Sequence, residues 1–129
     1  MKNSIDTLEL LFQALGDRTR LRLLNLMSSG EMCVCFFVEV LDEPQPKISR
    51  HLAYLRSAGL VSTSRDGKWI SYSIAHPENH TAREAFEAVL AAMKNDRELQ
   101  RDRQALARAC CSRRAPEQLK RAPRPAPVR

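Results

Sequence analysis

Four cysteines carry the chemistry open to this chain: Cys33 and Cys35, separated by one valine, and the adjacent pair Cys110 and Cys111. Thiolate sulfur is a soft ligand that selects zinc, copper(I) and, by the same logic, trivalent arsenic. A Cys-x-Cys is a weak motif, and free cysteine is also an ordinary core residue. Residues two apart on a regular helix point about 200° away from each other. Cys33 and Cys35 can therefore share one ion only where the backbone is extended or partly unwound. Their place directly after Gly30, at the mouth of a short helix, allows this. Cys110 and Cys111 lie beside Arg108, Arg113 and Arg114, a positive field that favours thiolate and makes a redox switch a second reading. His76 and His80 could join a metal site, but an HPENH segment also reads as a solvated turn and cap.

The elements that position these groups follow from periodicity. Leu8, Leu11, Phe12 and Leu15 recur at helical spacing. Asp17 suits the N-cap of a second helix bearing Leu21, Leu24 and Met27, and Gly30 suits its end. A short third helix spans about 35–41 and breaks at Asp42, Glu43 and Pro44. Pro46 suits the first position of a fourth helix with Ile48, Leu52 and Leu55 on one face, ending near Gly59. Residues 61–65 and 69–74 read as strands joined at Asp66-Gly67, a strong hairpin signal. Ala82, Ala85, Phe86, Val89 and Met93 make a further apolar helical stripe. Residues beyond it either continue one long helix to Cys111 or break near Asn95 and Asp96; the sequence leaves both open. The tail from Ser112, with four prolines and much Arg and Ala, reads as disordered.

A short helix, a tight break and a helix that starts polar is helix-turn-helix grammar. With the apolar face of the fourth helix turned inward, the DNA-facing candidates are Gln45, Lys47, Ser49, Arg50, His51 and Tyr54. Arg can bond guanine bidentately, Gln can pair with adenine, and Ser can meet bases or phosphate. His51 also suits packing against the preceding helix. Arg65 and Lys68 would sit on a hairpin wing over adjacent phosphate or minor groove. The net charge of +6 misleads by location. Residues 1–100 hold 12 Lys/Arg against 13 Asp/Glu, and the excess lies in the C-terminal segment. Within 44–75, Lys47, Arg50, Arg56, Arg65 and Lys68 face only Asp66, and this smaller patch is the better footprint of nucleic acid.

The segments FQALGDRTRLRLLNLM (12–27), GEMCVC (30–35), QPKISRHLAYLRSAGLV (45–61) and RDGKWISYSI (65–74), in that order, resemble the arsenic-repressor (ArsR/SmtB) family. The likeness covers about residues 5–93. It implies a homodimeric winged helix-turn-helix, mainly α with a β-hairpin wing. Such a protein holds operator DNA when ligand-free and releases it when a metal ion or metalloid binds. It gives Ser49 and His51 positions that commonly face DNA. It makes the first helix and residues 82–93 dimerisation helices, with Leu8, Leu11, Phe12, Phe86, Val89 and Met93 as interface candidates. One reading helix covers only half a site, and a two-fold pair about 34 Å apart matches one turn of B-DNA.

By the same resemblance Cys33 and Cys35 match the first two ligands of the family's arsenic box. The third cysteine of the fullest box is replaced here by Val38. Trivalent arsenic favours three sulfurs, so Cys110 or Cys111, from the same chain or a partner, is the expected third donor. Zinc-sensing relatives place His and carboxylates on their last helix, and no His follows His80. The expected organisation is 1–95 for DNA binding and dimerisation, 96–111 for a helical extension carrying the cysteine pair, and 112–129 for the tail. We expect a repressor induced by trivalent arsenic or antimony with no permanently bound cofactor; a zinc, other soft-metal or thiol-redox sensor on the same fold is the alternative. No Gly-rich phosphate loop or Ser/His/Asp arrangement suggests an enzyme. No apolar run suits a membrane span or signal peptide, so the chain is read as cytoplasmic with reduced thiols.

Overall fold

The computed structural model describes residues 4–111, with side chains from 5 to 109; the expected tail at 112–129 lies outside the described residues. The chain runs α1 (Ser4–Leu15), α2 (Arg18–Met27), β1 (Met32–Cys33), α3 (Val34–Leu41), α4 (Gln45–Ser57), β2 (Val61–Asp66), β3 (Trp69–Ile74), α5 (His80–Met93) and α6 (Arg97–Cys111). Helices α2, α3 and α4 pack on one another, α1 lies on α5, and α6 lies across α2 and α3. The core joins Leu23, Leu24 and Leu26 of α2, Phe36 and Phe37 of α3, and Ile48, Leu52 and Leu55 of α4, all without exposed surface.

Local chemistry sets the helix ends. The Asp17 carboxylate accepts the Arg20 amide at 3.0 Å and caps α2, and Asn79 caps α5 by accepting from Ala82 N at 2.9 Å. Asp42 ends α3 in the left-handed region, φ 53°, which Asp tolerates better than most residues. α4 starts one residue before the sequence suggested: Pro44, already extended, takes the cap, so Pro46 falls in the first turn and not at its first position.

The long C-terminal helix is broken. α5 ends at Met93, and Asp96 accepts the Leu99 amide at 3.0 Å where α6 starts. The hairpin forms with a shifted turn. Asp66 pairs with Trp69, leaving Gly67 and Lys68 as the two loop residues. Gly67, at φ 60°, supplies the left-handed first position that a tight hairpin of this twist needs. The sequence reading missed one strand. Met32 and Cys33 pair antiparallel with Tyr72 and Ser71, giving a sheet ordered β1-β3-β2. No helix of the described residues is long and apolar enough to cross a membrane.

Candidate nucleic-acid interface and thiol pair

Ile48, Leu52 and Leu55 anchor α4 to the core, so its opposite face is left outward. Gln45, Arg50, Ala53, Tyr54 and Ser57 are exposed there. Lys47 is half-buried and pairs with Glu43 at 3.1 Å, one turn back. Ser49 sits on the flank toward the hairpin. With Ala53, Arg56, Ser57 and Tyr72 of β3 it lines an open groove of about 450 Å³. Of these groove residues the sequence pointed to Ser49 as a DNA-facing candidate and to Arg56 as part of the basic patch, but not to Ala53, Ser57 or Tyr72. Their spacing at 49, 53, 56 and 57 was a legible helical stripe, but its partner Tyr72 was not. At the hairpin, Arg65 and Lys68 are exposed, and the Lys68 ammonium lies 5.4 Å from the Trp69 ring.

His51 takes the other flank, against α2. Its side chain is only 19% exposed, and Nδ1 lies 3.7 Å from Asp17 Oδ2. Arg20 is the organising residue of this flank, and the sequence reading missed it. Its guanidinium donates to the carbonyls of Ala14 at 2.7 Å and Gln13 at 2.9 Å. The same group lies 4.2 Å over the Tyr54 ring, within cation–π range. Arg20 therefore ties the end of α1 to the middle of α4. Partial burial works against the Asp17 carboxylate, but the Arg20 amide, His51 and the Arg20 guanidinium outweigh it and hold its pKa below the usual value.

The two thiols sit side by side where β1 turns into α3. Cys33 is extended, φ −73° and ψ 153°, at the N-cap position of α3 but without a side-chain capping bond; Cys35 follows in its first turn. Cys33 lies before the regular helix, so the divergence of residues two apart on a helix does not apply to this pair. Cys33 is 1% exposed, its Sγ 3.9 Å from Ser71 Oγ. Cys35 is half-buried, and neither thiol is in a disulfide. Burial pushes both upward: Cys33 is raised despite its contacts with Ser71 and Cys35, and Cys35 is raised to about 11 by burial and by Cys33 beside it. Among the described residues no group of three or more His, Cys, Asp or Glu could hold a metal ion. His76 and His80 instead lie near Glu87 at 3.8 Å and Glu84 at 3.1 Å, on exposed surface. Cys110 and Cys111 close α6, and their side chains lie outside the described residues.

α6 is held in part by polar contacts. The Arg22 guanidinium donates to both oxygens of Asp102, at 2.8 and 3.0 Å. Asn25 donates to the Leu99 carbonyl at 2.9 Å, Arg103 donates to Asn25 Oδ1, and Arg18 pairs with Glu98. Of the expected dimer-interface residues, Leu11, Phe86 and Met93 are 2%, 0% and 8% exposed within the single chain, in which α1 packs on α5, and so leave little surface for a partner. Phe12 remains 57% exposed and Ile5, not foreseen, 71%, while Leu8 and Val89 are half-buried.

Residues 17–63 match the model of a family described as bacterial regulatory protein, arsR family. The arsenical resistance operon repressor of Escherichia coli K12 is 50% identical over 66 residues, half of this chain. The match covers 56% of that protein, little more than half its length. The arsenical resistance operon repressor of Staphylococcus aureus is 36% identical over 57% of this chain and 70% of its own length. Among solved structures, a homodimeric winged helix-turn-helix DNA-binding domain from Mycobacterium bovis superimposes with a TM-score of 0.58. It is 27% identical and spans 70% of this chain and 81% of that one.

Proposed function

Because the chain belongs to the arsR family of bacterial regulatory proteins, we propose that it is a metalloid-responsive transcriptional repressor, a DNA-binding protein and not an enzyme. In this reading it binds operator DNA as a ligand-free homodimer and releases it when trivalent arsenic, or antimony, binds cysteine sulfur. The observation that carries the reading is the adjacency of Cys33 and Cys35 at the start of α3, the helix packed under α4. α4 presents Gln45, Arg50 and Tyr54 to the major groove, with Ser49 and Lys47 on its flanks. Arg65 and Lys68 meet phosphate at the wing. His51 acts from the side, steadying α4 against Asp17 and Arg20. Phe12 and Ile5, exposed on α1 beside Leu8, supply the apolar surface for a dimer with Val89 of α5.

Arsenous acid exchanges its hydroxyls for thiol sulfurs. Three As–O bonds break, three As–S bonds form, and the thiol protons leave with the hydroxyls as water. Two protonated, part-buried thiols suit this neutral exchange better than they suit a divalent cation, which must first displace their protons. The third sulfur comes from the end of α6. Leu99, Arg103 and Leu106 lie on the side of α6 turned to α2 and α3, and position 110 continues that stripe at helical spacing, so Cys110 is the proposed donor over Cys111. Ligand binding then ties α6 to the root of α3 and opposes operator binding through a coupling free energy. A coupling of about 1–3 kcal/mol weakens the operator some 5–150-fold.

The test is an ultraviolet titration of reduced protein with arsenite, following As–S absorption in wild type and in single Cys→Ser variants at 33, 35, 110 and 111. Loss of binding in C33S, C35S and C110S, with C111S unaffected, is the expected pattern. Undiminished binding in C33S or C35S contradicts the reading.

A further inference from the structure

Strand β1 is two residues long, yet its partner is β3, the middle strand of the sheet that forms the wing. Cys33 stands opposite Ser71, and Ser71 stands opposite Ser64, so one row of side chains runs from the thiol across both wing strands. Two polar contacts lie along the row. Cys33 Sγ lies 3.9 Å from Ser71 Oγ, with both residues buried, and the Ser64 hydroxyl donates to the Glu31 carboxylate two residues before Cys33. A second contact runs in parallel: Phe37 of α3 meets the Tyr72 ring edge-on, centroids 6.5 Å apart. Tyr72 also floors the groove beside α4. The thiol pair thus abuts two DNA-facing elements, α4 through α3 and the wing through Ser71.

We propose that occupancy of the Cys33–Cys35 pair is transmitted to the hairpin wing through the Cys33–Ser71 rung, with Ser71 as the positioning residue. The inference rests on the arsenite-binding reading above. In the Cys33–Ser71 contact either group can donate; a sulfur bonded to arsenic has lost its proton and can only accept from Ser71. Closing on a shared ion also draws Cys33 toward Cys35 and away from β3. A two-residue strand has few backbone hydrogen bonds with which to resist that pull. The displaced wing carries Arg65 and Lys68 off their phosphates, so part of the release of DNA comes through the wing and not through α4.

The chain provides its own reporter. Trp69, its single tryptophan, lies on β3 two residues from Ser71. Reduced full-length protein is titrated with arsenite in the absence of DNA, reading As–S absorption for occupancy and Trp69 emission for the wing. Operator affinity is then measured with and without arsenite for wild type and for the R65A/K68A variant. We expect Trp69 emission to change in step with absorption, and the change to shrink in S71A, which keeps both thiols. We expect arsenite's fold-effect on operator affinity to fall at least by half in R65A/K68A. Absorption and DNA release with silent Trp69 emission, and an unchanged fold-effect in R65A/K68A, would overturn the wing route while leaving the ligand reading intact. Absence of As–S absorption would sink both.

Discussion

α4 and α6 both pack on α2 and α3, but with a different balance of apolar and polar contacts. α4 is fixed by Ile48, Leu52 and Leu55, each without exposed surface. α6 buries one leucine fully, Leu106, rests Leu99 and Ala109 only partly on the core, and adds the polar contacts Arg22–Asp102, Asn25–Leu99 and Arg103–Asn25. Apolar packing is indifferent to salt and tolerant of nothing that leaves a cavity. A charged clamp loosens with ionic strength and with the loss of either partner. The element proposed to present side chains to DNA is thus the one fixed by apolar packing. The element that would bring a distant thiol to a ligand is held in part by contacts that can be made and broken.

The largest effect expected from this contrast is on α4. Leu52→Ala should cost about 2–5 kcal/mol in urea unfolding, from lost burial and the cavity left behind, and should abolish operator binding with it. A cost below 1 kcal/mol, on the order of a surface change, would break the comparison on that side. Arg22→Ala leaves the Asp102 carboxylate, 9% exposed, without its partner. Because Arg22 itself is part-exposed, the cost should be smaller, about 1–3 kcal/mol, and local. Hydrogen exchange should accelerate in α6 while α4 amides stay protected and arsenite-free operator binding survives. Equal acceleration in α4 would show that the two docking modes are one.

The thiols sharpen the same contrast through pH. Burial raises both, Cys35 to about 11, so at neutral pH both are protonated. Zinc must displace those protons, so its affinity should climb about tenfold per pH unit for each proton released, up to the thiols' own pKa values. Arsenous acid carries the protons of Cys33 and Cys35 away as water, so these two thiols should add no pH dependence to its affinity between about pH 6 and 8, below the range where they ionise. Calorimetry in two buffers of different ionisation enthalpy reads the proton count for each ligand. A proton released per thiol on arsenite binding would contradict the neutral exchange. Smaller still, Asp17→Ala should cost about 1 kcal/mol by removing the α2 cap. The Asp17 pKa is held low in the folded chain, so its contribution is full above the ordinary carboxylate pKa near 4 and is lost as pH falls through the folded value. Wild type and D17A should therefore converge in stability only at strongly acidic pH.

What the sequence made legible was whatever is decided locally. The spacing of Leu8, Leu11 and Leu15, the cap at Asp17, the apolar face of α4 and the glycine at the hairpin all act within a turn or two of chain. What escaped depends on distant partners. β1 is a strand only because β3 pairs with it, and two residues carry no alternation to read. The turn moved from Asp66-Gly67 to Gly67-Lys68 because register is set by the pairing of whole strands, not by the loop dipeptide. The apolar stripes of α1 and α5 were visible, but a stripe does not say whether it meets its own chain or another. Leu11 and Phe86 proved internal while Phe12 stayed outside. Arg20 and Asp102 look like surface charges until α4 and α2 are folded against them.

In the proposed function, arsenic bound at Cys33 and Cys35 and operator bound at α4 and the wing oppose each other. The most direct test is fluorescence anisotropy of reduced protein on its own promoter fragment, titrated in parallel with arsenite and with zinc. The account predicts release by arsenite near one equivalent per protomer, little effect of zinc at neutral pH, and no release from C33S or C35S. Operator held as tightly in saturating arsenite as without it, or release that survives both substitutions, would contradict it.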